Sequence, residues 1–275
     1  IGSSANDGTG STLRAAFDIC NDNFTELYGG TTSALGFKSE GTNFTGSLLI
    51  GHSTTGTISN ATNNVGIGID ALNALTSGDS NVAIGFNAGT DLTEGVSNIL
   101  IGKAVGAFAL RQQNSSGDAF NVAVGYEAGK EVTSGTHNVL LGGLAGDAIT
   151  TGGENVGVGT NALGSEDTGS RNVAIGRNAL FSLNYDGNSY NVAVGYHAGY
   201  SITTGVENII IGGTAGDALT TGSRNVVIGT YALSNENEHG NNVAIGWKAL
   251  QDQDAGADAY NVAIGYEAGK EITTG

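Results

Sequence analysis

The stretch Asn81-Val-Ala-Ile-Gly85 decides the fold, because near copies of it return through almost the whole chain. The opening asparagines stand at Asn64, Asn81, Asn98, Asn121, Asn138, Asn155, Asn172, Asn191, Asn208, Asn225, Asn242 and Asn261, most of them seventeen residues apart. That period is shorter than those of the common helical repeats and suits one coil of a β-solenoid. Within the stretch, Val82 and Ile84 alternate with Ala83, the period of a strand, and Gly85 lets the chain turn where a Cβ would resist.

A second apolar segment follows in each unit and takes two forms. Ala-Gly units (Ala128-Gly129, Ala145-Gly146, Ala198-Gly199, Ala215-Gly216) carry a large apolar residue three positions on, at Val132, Ile149, Ile202 and Leu219. Ala-Leu units (Ala162-Leu163, Ala232-Leu233, Ala249-Leu250) turn polar there, at Glu166, Glu236 and Gln253. Each coil thus keeps one large apolar side chain in this segment, as a thin, close-packed core demands; the units at Asn64 and Asn172 keep two. Above the coil sits a seventy-residue step, from Asn121 to Asn191 to Asn261, with a two-residue extension that makes a bulging loop in every fourth coil.

Three regions follow: residues 1–30, 31–46 and the repeat body 47–275, whose degenerate first unit is Ser47-Leu-Leu-Ile-Gly51. In the first, Leu13, Phe17, Cys20, Phe24 and Leu27 are spaced four, three, four, three, the seam of a coiled coil. Two heptads are marginal alone, so this helix needs a partner. It either docks singly on another surface or forms a short oligomerising or attachment bundle, with Cys20 as a small apolar filler. Residues 31–46 are a Thr-, Ser- and Gly-rich transition. The chain stops partway through a unit and holds no Met, so the repeat is expected to continue beyond it.

A formal charge of −16 with only ten Lys and Arg leaves no basic stripe for nucleic acid or anionic lipid. No stretch approaches the roughly twenty apolar residues that span a bilayer. One Cys excludes a disulfide framework. Stability has to come from packing, hydrogen bonds and oligomerisation.

The blocks at 81–85, 172–176, 242–246 and 261–265 resemble the head repeats of YadA-type trimeric autotransporter adhesins. That resemblance implies a parallel β-roll with three chains wound about one axis. The opening stretch, from Asn6-Asp-Gly-Thr-Gly10 through Leu13-Arg-Ala-Ala-Phe17 to Asn23-Phe-Thr-Glu-Leu-Tyr28, resembles the N-terminal segment of tail-fibre proteins of marine bacteriophages, cyanophage-like in character. Together the resemblances imply a virion fibre.

Candidate chemistry is sparse. Gly125-Tyr-Glu-Ala-Gly129-Lys130 lacks the spacing and the Ser or Thr of a phosphate loop. His52, His137, His197 and His239 occupy different places in their units and read as solvent-facing. Glu166 with Asp167 and Glu236 with Glu238 offer paired carboxylates of the kind that cut glycosidic bonds, but their recurrence in equivalent units favours a shared structural role. Asp252, Asp254 and Asp258 could offer oxygen ligands to Ca²⁺, with a solvated acidic loop as the favoured reading; no other cofactor is expected. Phe120, Tyr190, Tyr260, Tyr126, Tyr196, Trp247 and Tyr266 could stack on sugars or cover bulged coils and subunit seams. The repeated asparagines would stack in register and bond amide to amide.

The sequence thus predicts an all-β, repetitive parallel β-solenoid or β-roll fibre, homotrimeric, with a short N-terminal helix. The expected function is a non-enzymatic, structural and adhesive fibre of a phage virion. It would attach to the particle through its helix and contribute to host attachment at a surface glycan. The alternatives are a bacterial extracellular filament or surface adhesin and, behind it, a polysaccharide-degrading tailspike.

Overall fold

The computed structural model describes residues 37–41, 44–51, 60–103 and 119–274. The helix expected around Leu13, Phe17, Cys20, Phe24 and Leu27 lies outside them, as does His52. Among the described residues every regular element is a strand.

Strand β1 (Phe37–Gly41) pairs antiparallel with β2 (Phe44–Ile50), a hairpin in the segment read as a transition. From β2 onward the pairing is parallel. The remaining strands are β3 (Val65–Ile67), β4 (Val82–Ile84), β5 (Ile99–Ile101), β6 (Val122–Val124), β7 (Val139–Leu141), β8 (Val156–Val158), β9 (Val173–Ile175), β10 (Val192–Val194), β11 (Ile209–Ile211), β12 (Val226–Ile228), β13 (Val243–Ile245) and β14 (Val262–Ile264). They stack in chain order, equivalent residue on equivalent residue, as in Val192↔Ile209, Ala193↔Ile210 and Val194↔Ile211. The result is an all-β parallel solenoid with one three-residue strand per coil. At about 4.8 Å per strand, thirteen parallel strands span roughly 60 Å.

The rest of each coil is a run of turns. In the coil of Asn155, four positions have positive φ: Glu154 (58°), Gly159 (131°), Asn161 (57°) and Leu163 (55°). Gly159 is a glycine for a second reason, since a Cβ there would sit 2.6 Å from the carbonyl of Gly176 in the next coil. Leu163 marks the slot where Ala-Gly and Ala-Leu units diverge. Gly129, Gly146, Gly199 and Gly216 take the left-handed conformation there freely, while Leu72, Leu163, Leu180, Leu233 and Leu250 are held in it by burial.

The core is a narrow stack of inward columns. One is the strand centre (Ala83, Leu100, Ala123, Leu140 and onward), one the Gly or Leu slot, and one the position three residues later. Compensation also runs between coils. A Cβ on Gly129 would meet Leu140 Cδ1 at 2.9 Å, and one on Gly146 would meet Leu140 Cδ2 at 2.7 Å, so the large strand-centre leucine fills the space above both glycines. The two-leucine coil of Asn64 has Gly66 at its strand centre, and the two-leucine coil of Asn172 has Ala174.

Candidate functional site: an asparagine ladder, an aliphatic face and a bulged coil

The twelve repeated asparagines form one column, nearly all with no exposed surface. Except at Asn98 and at the last member, Asn261, the side-chain oxygen accepts the backbone N–H of the next asparagine, as in Asn208 N to Asn191 Oδ1 at 3.0 Å. Amide-to-amide bonds of 3.0–3.3 Å join Asn81 to Asn64, Asn98 to Asn81, Asn138 to Asn121, Asn172 to Asn155, Asn208 to Asn191, Asn225 to Asn208 and Asn242 to Asn225. The second amide hydrogen closes the coil on itself, Asn208 Nδ2 donating to Gly222 O at 2.9 Å. Ser47 begins the column by accepting the N–H of Asn64 at 2.8 Å. Asn98 Oδ1 has no partner among the described residues, and Asn261 turns its amide to Gln253 Oε1 at 2.8 Å. A side chain that satisfies buried backbone groups in two coils fixes register as well as stability.

The strand triplet points one residue in and two out. In β4 the central Ala83 is buried while Val82 and Ile84 are partly exposed, and the same pattern holds from β3 to β14. The outward face is therefore two rows of aliphatic side chains, from Val65 and Ile67 to Val262 and Ile264, without a polar residue in either row. Ile99, Ile175, Ile209 and Ile211 are each about two-fifths exposed, although they belong to a sheet interior by type.

The aromatic residues flank this face at its two edges. Trp247 stacks on Tyr266 at 4.8 Å with Lys248 Nζ 4.5 Å from the Trp247 ring. His197 lies between Tyr196 (4.0 Å) and Tyr200 (4.7 Å), and Arg177 covers Tyr196. On the other edge Arg171 joins Glu154 (3.0 Å) to the Tyr190 hydroxyl (2.6 Å), and Phe120 meets His137. Tyr126 and Tyr260 are exposed. Trp247–Tyr266 and Phe120–His137 pair rings of successive coils, whereas Tyr196, His197 and Tyr200 stack within one coil. The solvent-facing reading of the histidines is corrected for two of them: His197 sits in the aromatic stack, and the His239 ring places Nδ1 3.3 Å from Oε1 of buried Glu236.

The carboxylate pairs are split by the alternation of the coil. Glu166 and Glu236 point inward and are fully buried, while Asp167 is half-buried and Glu238 exposed. Glu166 lies in the third inward column between Ile149 and Leu183, accepts Gly169 N–H at 2.7 Å through Oε1, and leaves Oε2 without a partner. Burial pushes its carboxyl up to about 7, against the pull of the Gly169 and Tyr185 backbone dipoles. Burial pushes Glu236 the same way, but Gln253 Nε2 and Ala255 N (both 3.1 Å) and the N–H groups of Asn237 and His239 outweigh it and hold that carboxyl below its ordinary value. Neither buried carboxyl lines the groove beside the bulged coil of Asn172.

Asp258 accepts from Gly240 N and Asn241 Nδ2, both at 2.9 Å, and Asp252 from Asn235 Nδ2 at 3.2 Å. Asp252 and Asp258 are thus bonded to the neighbouring coil, while Asp254 is exposed. No group of three or more His, Cys, Asp or Glu side chains among the described residues could hold a metal ion.

One groove, of about 540 Å³, opens beside the bulged coil of Asn172 and is lined by Asp167, Asn184, Tyr185, Asp186 and Thr204. Of these residues only Asp167 stood out in the sequence, as half of a carboxylate pair. The signal was present: Tyr185-Asp186-Gly187 breaks the repeat, and seventy residues on the same places hold Ala255-Gly256-Ala257.

No protein-family model, curated protein or solved structure matches the chain.

Proposed function

We propose that the chain is the shaft of a structural, adhesive fibre of a phage virion, built as a homotrimer about a common axis and lying outside the host cell. The observation that carries this reading is the two-row aliphatic face. Two rows about 10 Å wide along some 60 Å give on the order of 600 Å², at the upper limit of what a monomer leaves exposed. A partner must match a repeat of about 4.8 Å over that whole length, and another copy of the same solenoid does so coil by coil. When the first row of one copy meets the second row of the next, the contact is heterologous, and a ring of three closes it.

Such an assembly buries the face, multiplies the negative charge threefold and leaves the turns outward, where weak contacts add up to avidity. The segment holding Leu13, Phe17, Cys20, Phe24 and Leu27 is assigned to the particle end, where it meets a virion attachment protein. A fibre rather than an enzyme is favoured because Glu166 and Glu236, the two fully buried carboxyls, face the core.

Light scattering tests the proposal. The chain should have three times its 27.5 kDa mass, and the paired substitution Val192→Asp with Val194→Asp should return it to monomer with its strand content intact. A monodisperse monomer of the unaltered chain at micromolar concentration would sink the trimer.

A further inference from the structure

The groove beside the bulged coil differs from everything else on the solenoid, because its lining residues occur together once. Asp167 comes from the coil of Asn155, Asn184, Tyr185 and Asp186 from the extension in the coil of Asn172, and Thr204 from the coil of Asn191. A repeated residue serves the stack; a set brought together once is free to serve something else.

The groove is built, not merely vacant. Thr168 anchors both carboxylates, its N–H donating to Asp167 Oδ1 at 2.7 Å and its hydroxyl to Asp186 Oδ1 at 2.8 Å. Among the described residues the second oxygen of each carboxylate, the Asn184 amide and the Thr204 hydroxyl make no hydrogen bond. Tyr185 is exposed, and a Cβ on Gly187 would come within 2.9 Å of its ring, so the glycine lets the loop lie against the tyrosine and fix its orientation. The Asn184 backbone is tied down by its N–H to Thr203 O, at 2.8 Å.

An aromatic ring beside planar carboxylate and amide acceptors, in a polar groove of this volume, matches a ligand with an apolar C–H face and a rim of hydroxyl donors. Two carboxylates on a chain of formal charge −16 repel acidic ligands. We propose that this groove binds an uncharged carbohydrate, with Tyr185 as the stacking surface and Asp167, Asn184 and Asp186 accepting or exchanging hydrogen bonds with its hydroxyls. The lining residues stand twelve to fourteen places after the asparagine of their coil, whereas the strand takes the first three, so assembly through the sheet leaves the groove open. The inference deepens the adhesive part of the proposed function and rests on it for its biological sense, while the binding itself does not require a trimer.

Saturation-transfer NMR on the full chain, with maltohexaose, mannotetraose and chitotetraose as neutral probes and an alginate tetrasaccharide as the acidic one, tests it. At least one neutral probe should receive saturation, the acidic one none. Tyr185→Ala should weaken that binding at least tenfold and Asp186→Asn about fivefold. Tyr231→Ala, an exposed tyrosine outside the groove, should leave it unchanged. No transfer to any neutral probe, equal transfer to alginate, or undiminished binding by Tyr185→Ala would overturn the assignment. Light scattering on the same samples reports the oligomer independently, so loss of the carbohydrate site and loss of the fibre are told apart.

Discussion

Glu166 and Glu236 occupy the same place in coils seventy residues apart, both fully buried, yet they are in opposite electrostatic states. The difference lies in the residue stacked on each. Leu183 covers Glu166 and offers no donor, whereas Gln253 covers Glu236 and donates to it at 3.1 Å. In a solenoid the environment of a side chain is written seventeen residues away, one coil up and one coil down. The same residue in the same slot can therefore be a neutral acid in one coil and an anion in another.

Removing Glu236 should break the comparison most severely. Glu236→Ala strands the Gln253 amide and the N–H groups of Asn237, His239 and Ala255 in the interior, and should cost about 3–5 kcal/mol in denaturant unfolding. A loss under about 1 kcal/mol would mean water replaces the carboxylate without penalty.

The pH response comes next. The folded carboxyl of Glu166 titrates near 7 and the unfolded one near 4.5, so the folded chain holds a proton that the unfolded chain has lost between those values. Its contribution is full below the unfolded value and is lost as pH rises to about 7, on the order of 3 kcal/mol. Glu236 acts in the opposite sense, with stability present at neutral pH and lost as pH falls below the ordinary carboxylate range. Glu166→Gln should therefore flatten the decline between pH 5 and 7 while leaving the acid limb unchanged. Thermal unfolding across that range is the measurement, and an identical slope in the variant would count against a neutral Glu166.

Converting one coil into the other gives the smallest effect. Gln253→Leu places an aliphatic cap over Glu236, as Leu183 does over Glu166, and should cost about 1–2 kcal/mol at pH 8 and little at pH 5. If the cost is the same at both pH values, the cap acts through packing and not through charge.

Much of this architecture was legible. Asn-Val-Ala-Ile-Gly is short, but its asparagine, inward small residue and turn glycine each answer a separate demand of stacking, so the period, the strand and the buried amide column could be read from it. The Gly-or-Leu alternation was read as balance within one coil, but the structure also balances Leu140 against Gly129 and Gly146 in its own and a neighbouring coil, a relation invisible along a linear chain. That Leu72, Leu163, Leu180, Leu233 and Leu250 hold left-handed backbone was hidden because leucine carries no such preference; burial imposes it. The hairpin of Phe37–Gly41 with Phe44–Ile50 was missed because its Ser, Thr and Gly content shows no clean alternation. The inward aim of Glu166 and Glu236 was legible only as recurrence, and the groove only as its interruption.

The asparagine column also bears on how the molecule forms. Each bond between neighbouring asparagines closes a loop of seventeen or, at the bulges, nineteen residues, so it spans a fraction of about 0.06 of the chain, at or just below the range of fast-folding helical bundles and far below that of ordinary all-β domains. The costly event is the first pair of coils. After it, every emerging asparagine except Asn121 meets an acceptor already in place one coil below, and the solenoid can wind at the pace of synthesis, reading its register from the coil before.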